Sequence, residues 1–188
     1  VLKPDLIIPF CKTKEEAQEE MKKFCKGKPL LPPTFISEHR IEEVKGIYVP
    51  FWLYNCDAAG KMRFDATKVK KWSTEDFDYT KTEHYMVIRE GGAMFDNVPV
   101  NGSTNVEARY MEAIEPFEAT EGKPFQDAYL SGYLADKYNI DSVEAQPRAN
   151  ERVKKGMEQL LRNTVVGYDT VNTESSSMHL ETGKIRYA

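Results

Sequence analysis

The chain has 188 residues, 40% of them apolar and 30% charged, with a formal net charge of -4 and a pI near 5.5. This composition predicts a globular protein with a sizeable core. It disfavours a general nucleic-acid-coating surface but is compatible with a local basic patch. Three widely spaced cysteines, Cys11, Cys25 and Cys56, predict reduced thiols rather than a disulfide framework or a zinc site. No apolar run of about 18 residues and no signal-peptide core occurs, so we expect a cytoplasmic chain without a membrane span.

The N-terminal segment predicts a strand followed by a capped helix. The short apolar run within Asp5–Phe10 is ended by a proline and predicts an opening strand. Thr13 with Glu16 then predicts a capping box at the start of a helix. Apolar residues then recur at helical spacing, at Ala17, Met21, Phe24 and Cys25. The pattern predicts that Cys25 is a small buried residue and not a nucleophile. Gly27 and the prolines at 28–33 predict the helix end and a rigid connector, and Ser37 predicts a helical turn through Val44.

The segment Lys45–Val69 predicts a β-hairpin. Alternation puts bulky residues on both faces of the first strand, with Ile47, Val49, Phe51 and Leu53 on one face and Tyr48, Trp52 and Tyr54 on the other. The stretch 57–60 (Asp-Ala-Ala-Gly) predicts the turn, after which a period of two resumes. Pro50 cannot donate to a ladder, which predicts an edge or a bulge there.

Further strands are predicted after a polar connection at 72–80. The stretch 82–89 alternates as a third strand, 90–92 (Glu-Gly-Gly) predicts a turn, and 93–100 predicts a shorter fourth strand.

The next part of the chain predicts helices. Thr104 with Glu107 predicts a capping box for a helix that Pro116 stops, and Pro124 begins a predicted buried helix through Tyr138. Asp141 or Ser142 begins another turn, and Pro147 is expected to restart or kink the path. Apolar residues at helical spacing predict the last helix through about Thr164, with its inner stripe at Val153, Met157, Leu160 and Leu161.

The C-terminal part returns to extended character. The stretch 165–180 is rich in threonine and serine, 181–184 (Glu-Thr-Gly-Lys) predicts a hairpin turn, and a strand begins at Ile185. A chain that stops in half a hairpin is expected to be a fragment of a longer one.

These elements predict an α+β fold in which helices pack on one side of a meandering, mostly antiparallel sheet. We expect a single domain over 1–188. Its parts are 1–100, mainly strands after one helix, 104–164, helical, and 165–188, returning strands.

Four segments carry a resemblance to a known group: Ile7–Phe10, Lys45–Tyr54, Tyr129–Tyr138 and Pro147–Val153. Over nearly the whole chain the sequence resembles bacterial zinc-ribbon proteins, sometimes named primosomal helicase-like, whose group has no established activity. In that group a short zinc ribbon precedes this region, and the chain usually continues with another strand and hairpin. The resemblance therefore implies a ribbon outside this chain. Since no CxxC pair occurs here, no zinc ligand is carried over to any residue. A helicase is not supported because no GxxxxGK[ST] loop occurs.

Two groups of residues are candidates for binding. Arg148, Arg152 and Lys155 fall on one helix face and suit a phosphate, an acidic partner or a lipid headgroup. The alternative is a solvated face, or arginines paired with Asp136 and Glu144. Aromatic side chains could line a groove on the sheet, the alternative being core packing; they are Trp52, Tyr54, Trp72 and Tyr85.

No catalytic motif accompanies these residues, because His39, His84 and His179 are isolated and neither a GxSxG elbow nor an HExxH helix occurs. We therefore predict a non-enzymatic interaction or scaffold module that needs no cofactor and binds a protein partner or a neighbouring domain. A small-ligand-binding domain and a nucleic-acid-associated protein are the alternatives, the second disfavoured by net charge.

Overall fold

The computed structural model describes residues 2–26, 28, 45–113, 115 and 121–188. The predicted helix end at residue 27, the helical turn at 37–44 and the helix stop at residue 116 lie outside these residues. In chain order the elements are β1 Leu6–Ile7, α1 Lys14–Cys25, β2 Ile47–Tyr48, β3 Phe51–Ser73, β4 Asp78–Asn101, α2 Ala108–Ala113, β5 Lys123–Pro124, a 3-10 helix Asp127–Leu130, β6 Leu134–Ala135, α3 Ser142–Asn163 and β7 Thr170–Tyr187. The predicted α+β class with mostly antiparallel strands is confirmed.

The residues group into two compact units. The first unit consists of Val1–Phe51, Asn101–Asp141 and Arg186–Ala188, and the second consists of Trp52–Val100 and Ser142–Ile185. Each unit draws on segments that are distant in sequence. That the whole chain folds as one domain stays a prediction.

Short strand pairs organise the first unit. β1 pairs antiparallel with β5, Leu6 opposite Pro124, and β2 pairs parallel with β6, Ile47 opposite Leu134. β2 ends before Pro50 and β3 begins after it, so the strand is interrupted at this proline. The edge or bulge expected there stays a prediction.

Helix α1 begins as its sequence predicts. The Thr13 hydroxyl accepts a hydrogen bond from the Glu16 backbone at 3.3 Å, and the Glu16 carboxylate accepts one from the Thr13 backbone at 2.8 Å, which completes the capping box. Cys25 is buried, as predicted. Phe24 was expected to face inward and is instead exposed, with the Lys28 ammonium 3.1 Å from its ring centroid.

The predicted buried helix from Pro124 to Tyr138 is wrong. Pro124 lies in β5 opposite Leu6, the 3-10 turn follows, and Gly132 has a φ of +85° that no α-helix contains. Strand pairing of β5 and β6 with distant segments takes precedence over the local helical spacing of the apolar residues.

The predicted capping box at Thr104 is also wrong, because α2 begins only at Ala108. Thr104 instead exchanges two hydrogen bonds with Asn139. Its backbone N–H donates to Asn139 Oδ1 at 2.9 Å, and Asn139 Nδ2 donates to Thr104 Oγ1 at 2.8 Å. A threonine that caps a helix and one that joins two loops look alike in the sequence.

The second unit is built on a three-stranded sheet in the order β4-β3-β7. β3 and β4 have 23 and 24 residues and are joined by a turn in which the Thr74 N–H donates to the Phe77 carbonyl at 2.8 Å. β7 has 18 residues, which confirms the predicted extended character of the C-terminal part.

The turns predicted at 57–60, 90–92 and 181–184 are wrong, since each lies inside a continuous strand. Their glycines allow close packing. A methyl group at Gly60 would collide with the Met178 sulfur, and one at Gly183 would lie 3.4 Å from the Asn55 carbonyl oxygen. The half-hairpin expected at the C-terminus is therefore absent, because Ile185 continues β7.

Helix α3 covers one face of this sheet. It begins at Ser142, where the sequence predicts only a turn, and runs through Pro147 without restarting there. Its buried residues recur every four positions, at Ala145, Ala149, Val153, Met157 and Leu161. Leu160, predicted to face inward, is exposed. A methyl group at Gly156 would lie 2.7 Å from Cε1 of Phe95 on β4, so helix and sheet are in close contact there.

Candidate contact surface on the second unit

The predicted basic helix face contains residues with different contacts. Arg152 is half-buried and its Nη1 donates to the Pro99 carbonyl oxygen of β4 at 2.8 Å. Lys155 is exposed and pairs with Glu151 at 2.9 Å, while Arg148 is exposed on the same helix. Arg152 thus contributes to the attachment of α3 to the sheet. The predicted ligand-binding role of Arg148, Arg152 and Lys155 stays a prediction.

Two of the predicted aromatic candidates are buried. Trp52 is 6% exposed and Tyr54 is fully buried, with its hydroxyl donating to the Ser142 carbonyl oxygen at 2.5 Å. The Tyr54 hydroxyl therefore has a partner at the beginning of α3. Burial favours the core-packing alternative for both side chains.

Helix α3 covers only part of this sheet face. Beyond the end of the helix, the same face is exposed to solvent and carries lysines and aromatic residues. Phe64 and Ala66 on β3 are buried, and the alternation of strand residues continues this face through Lys68, Lys70 and Trp72. On β4 the same face continues from Phe95, which contacts α3, down to Tyr79. We call this region the aromatic–lysine face; its residues are Lys68, Lys70, Trp72, Tyr79, Lys81, Tyr85 and Tyr168.

One end of the aromatic–lysine face is a stacked ring pair at the β3–β4 turn. The rings of Trp72 and Tyr79 lie 5.4 Å apart between centroids with an interplanar angle of 9°. Trp72 is 50% exposed and Tyr79 is 42% exposed. Phe77, which is 65% exposed, meets Tyr79 edge-on with centroids 6.3 Å apart. The pair therefore presents aromatic surface to solvent while each ring holds the other in place.

The other end joins a lysine to two tyrosines. Lys68 Nζ lies 5.7 Å from the Tyr85 ring centroid and 5.3 Å from the Tyr168 ring centroid. The centroids of the two tyrosine rings are 5.3 Å apart. Both cation–π distances are within the range of attraction. This arrangement holds the ammonium and both rings near one another on the exposed sheet face.

Glu83 is an acidic residue on this sheet face. Its carboxylate accepts hydrogen bonds from Lys81 at 2.7 Å and from the Tyr85 hydroxyl at 3.1 Å. Donation to Glu83 raises the pKa of Tyr85, and the same contacts, with Lys81 first, lower the pKa of Glu83. At neutral pH Tyr85 is therefore neutral and Glu83 is charged.

The opposite sheet face at this end is composed differently. Ser73 and Asp78 lie there, with the serine hydroxyl donating to the Asp78 carboxylate at 2.6 Å, and alternation places Lys71 there as well. Met86 and Ile88, both exposed, also lie on this opposite face. Three lysines and four aromatic residues are thus sorted onto one face of a chain whose total charge is negative.

Sequence reasoning missed this face although its signal was present. Lysine and aromatic residues follow a period of two at 68–72 and, interrupted by Glu83, again at 79–85, but the sequence predicts only a polar connection at 72–80. Two of its residues, Trp72 and Tyr85, were named only as groove candidates beside the buried Trp52 and Tyr54. Placing the turn at Thr74–Phe77 aligns the two patterns across one hairpin.

The described residues contain no cluster of cysteines or metal-binding side chains comparable to the aromatic–lysine face. Cys56 is buried, burial raises the pKa of its thiol, and its sulfur lies 4.0 Å from Thr182 Oγ1. Cys11 is exposed. Within residues 2–26, 28, 45–113, 115 and 121–188, no group of three or more His, Cys, Asp or Glu could hold a metal ion. Among the same residues, no helix has the length and apolar character needed to cross a bilayer.

Comparison with known proteins gives one relative to report. The chain is 34% identical over 178 residues to "Uncharacterized protein YdjG" of Bacillus subtilis (strain 168). The match covers 95% of this chain and 52% of that protein, so the chain spans about half the length of its relative. No family model matches, and no solved structure matches. The resemblance to zinc-ribbon proteins stays a prediction.

Proposed function

We propose that this chain is a non-enzymatic interaction module and that the aromatic–lysine face is its contact surface. The observation that supports this proposal is the sorting of exposed rings and lysines onto one sheet face beyond the end of α3. Aromatic residues are enriched at contact surfaces because a rigid ring buries a large area at low entropic cost. The stacked pair of Trp72 and Tyr79 is such an anchor.

The polar residues of the first unit support a structural role for that unit. Ser103 is buried and its Oγ donates to Asp136 Oδ2 at 2.5 Å, while Asn105 Nδ2 donates to Asp136 Oδ1 at 2.8 Å. The Lys137 backbone N–H donates to the same carboxylate at 2.9 Å. The carboxylate therefore joins the loop after β4 to the segment after β6. A buried, hydrogen-bonded serine of this kind is poorly placed to act as a nucleophile.

The resemblance to bacterial zinc-ribbon proteins adds further parts to this proposal. They are a bacterial source and a zinc ribbon that would lie next to this region in the whole protein. The widely spaced cysteines favour a cytoplasmic location for the module. The small-ligand alternative receives less support, because Trp52 and Tyr54, which it requires on an open face, are buried.

Site-specific photo-crosslinking tests the proposal. Phe77 and Met94 are both strongly exposed, but Met94 lies on the opposite sheet face by alternation along β4. Replacement of Phe77 by p-benzoylphenylalanine should give discrete adducts in cells that make the protein, and the same replacement of Met94 should not. Adducts only at Met94, equal adducts at both positions, or none at Phe77 would contradict the proposal.

A further inference from the structure

We infer that the aromatic–lysine face binds single-stranded nucleic acid, with bases stacked on its rings and phosphates held by its lysines. This inference rests on the proposed function and specifies the partner. Proteins that bind single strands without sequence preference combine exposed aromatic rings with cations that follow the backbone, and both occur on this face.

The charges of the face favour a polyanion. Three lysines, at positions 68, 70 and 81, stand against Glu83 on this face. Glu83 contacts Lys81 at 2.7 Å and also interacts electrostatically with Lys70, so Lys68 is the lysine that this carboxylate compensates least. The net charge of -4 for the whole chain does not oppose such binding, because exposed charges beyond about 10 Å are largely screened at moderate salt.

The spacing of the rings fits an extended strand. Tyr79 and Tyr85 are six residues apart on β4, a separation of about 20 Å at about 3.3 Å per residue. Trp72 stands beside Tyr79 and Tyr168 beside Tyr85, so each end of the face offers two rings. Between the two ends lie Lys70 and Lys81. Unpaired bases can reach both ring pairs, whereas the bases of a duplex remain stacked on one another.

Other anionic partners would contact fewer of the rings and lysines of this face than a single strand would. An acidic peptide would pair with the lysines but has no planar group to cover the rings. An anionic membrane would accept Phe77 and Trp72, but Glu75, Asp76 and Asp78 flank the exposed ring of Phe77 and would be drawn toward the lipid with it. Burying carboxylates in an apolar medium is costly.

Equilibrium binding to a labelled oligonucleotide tests the inference. Fluorescence anisotropy at about 0.1 M salt with oligodeoxythymidylate of about 15 nucleotides should show saturable binding, tighter than for a duplex of equal length. Tyr79→Ala should weaken binding by about tenfold, the usual effect of losing a stacked base. The double variant Lys68→Gln, Lys70→Gln should weaken binding and flatten its salt dependence. Lys71→Gln, on the same strand but the opposite face, is the matched control and should bind as the parent does.

Circular dichroism first establishes that each variant is folded, so that a change in binding is not caused by unfolding. The outcomes below then decide whether the inference holds. Absence of binding at about 0.1 M salt, equal affinity for duplex and single strand, or an effect of Lys71→Gln equal to that of the double variant would overturn the inference. Binding to vesicles rich in phosphatidylglycerol without binding to the oligonucleotide would assign the face to a membrane instead. If the crosslinking at Phe77 succeeds and its adducts contain only protein, the interaction module stands and the nucleic-acid inference fails.

Discussion

Trp72 and Tyr79 stack across the β3–β4 hairpin with their planes only 9° from parallel. Such a cross-strand aromatic pair contributes roughly 0.2–1 kcal/mol relative to alanine, so it stabilises the hairpin end only modestly. Both rings nevertheless keep a large exposed area. An exposed pair that contributes little to stability is more easily explained by contact with a partner than by folding.

The first prediction separates the core from the contact surface. Phe64 is fully buried on β3, so Phe64→Ala should lower the free energy of unfolding by about 3–5 kcal/mol through lost burial and a residual cavity. Phe51→Ala and Leu53→Ala should lower it by about 2–5 kcal/mol for the same reason. Urea melts measure these losses. Lys61→Ala, on the exposed face of the same strand, is the control. If the core variants lowered the free energy of unfolding no more than Lys61→Ala does, the burial of this strand would be contradicted.

The second prediction concerns Gly156 in α3. Alanine normally stabilises a helix interior relative to glycine by about 1 kcal/mol, but here its methyl group would meet the Phe95 ring. We expect Gly156→Ala to destabilise the protein by about 1–3 kcal/mol, because the contact forces the helix or the ring to shift. Thermal melts measure the change.

A double-mutant cycle supplies the control for Gly156. In a Phe95→Ala background the steric conflict is removed, so Gly156→Ala should be neutral or stabilising there. Destabilisation of the same size in both backgrounds would show that the ring is not the cause.

The third prediction concerns the dependence of stability on pH through Asp136. Burial raises the pKa of this carboxyl, but hydrogen bonds from Ser103, Asn105 and the Lys137 backbone outweigh burial, and the net pKa lies below 3.8. The unfolded chain therefore binds the proton first as pH falls. The stabilising contribution is complete well above pH 3.8 and is lost as pH falls through the lowered value.

Urea melts of the parent and Asp136→Asn as a function of pH test this linkage. At neutral pH the variant should lose about 1.5–3 kcal/mol, typical of hydrogen bonds to a charged group. The difference between the two proteins should shrink as pH falls below 4, the acid side of the ordinary Asp value. A difference that stays constant down to acid unfolding would contradict the role given to Asp136.

The fourth prediction distinguishes two arginines on one helix. Arg152→Ala should lower the free energy of unfolding by about 1.5 kcal/mol, because it removes a charged donor from the Pro99 carbonyl. Arg148→Ala should change it by less than about 0.5 kcal/mol, as for most exposed substitutions. Chemical melts of the two variants check this difference, and equal melts would assign no structural role to the Arg152 contact.

Elements fixed by local chemistry were predictable. The capping box at Thr13 and the burial of Cys25 depend on neighbours close in sequence. The three mistaken turns depended on glycines such as Gly60, whose neighbour Met178 is far away in the sequence. A glycine that permits a turn and one that permits close packing cannot be distinguished without knowing the partner strand.

The candidate surface was missed for a related reason. Trp72 and Tyr79 share a face only once the turn is placed at Thr74–Phe77, and an error in the turn moves every side chain of the hairpin. Trp52 and Trp72 were grouped as one groove because both are aromatic. Trp52 lies in the buried first part of β3, whereas Trp72 lies beyond the end of α3, whose Leu161 is at the level of Gly60.

The most direct measurement observes Trp72 itself. The chain contains two tryptophans, one buried at position 52 and one half-exposed at position 72, so 5-fluorotryptophan labelling gives two 19F NMR signals that Trp72→Phe assigns. On titration with single-stranded oligodeoxythymidylate, we predict that the Trp72 signal shifts and broadens to saturation while the Trp52 signal stays in place. A Trp72 signal that does not move at saturating oligonucleotide would contradict the assignment of this face as the binding surface.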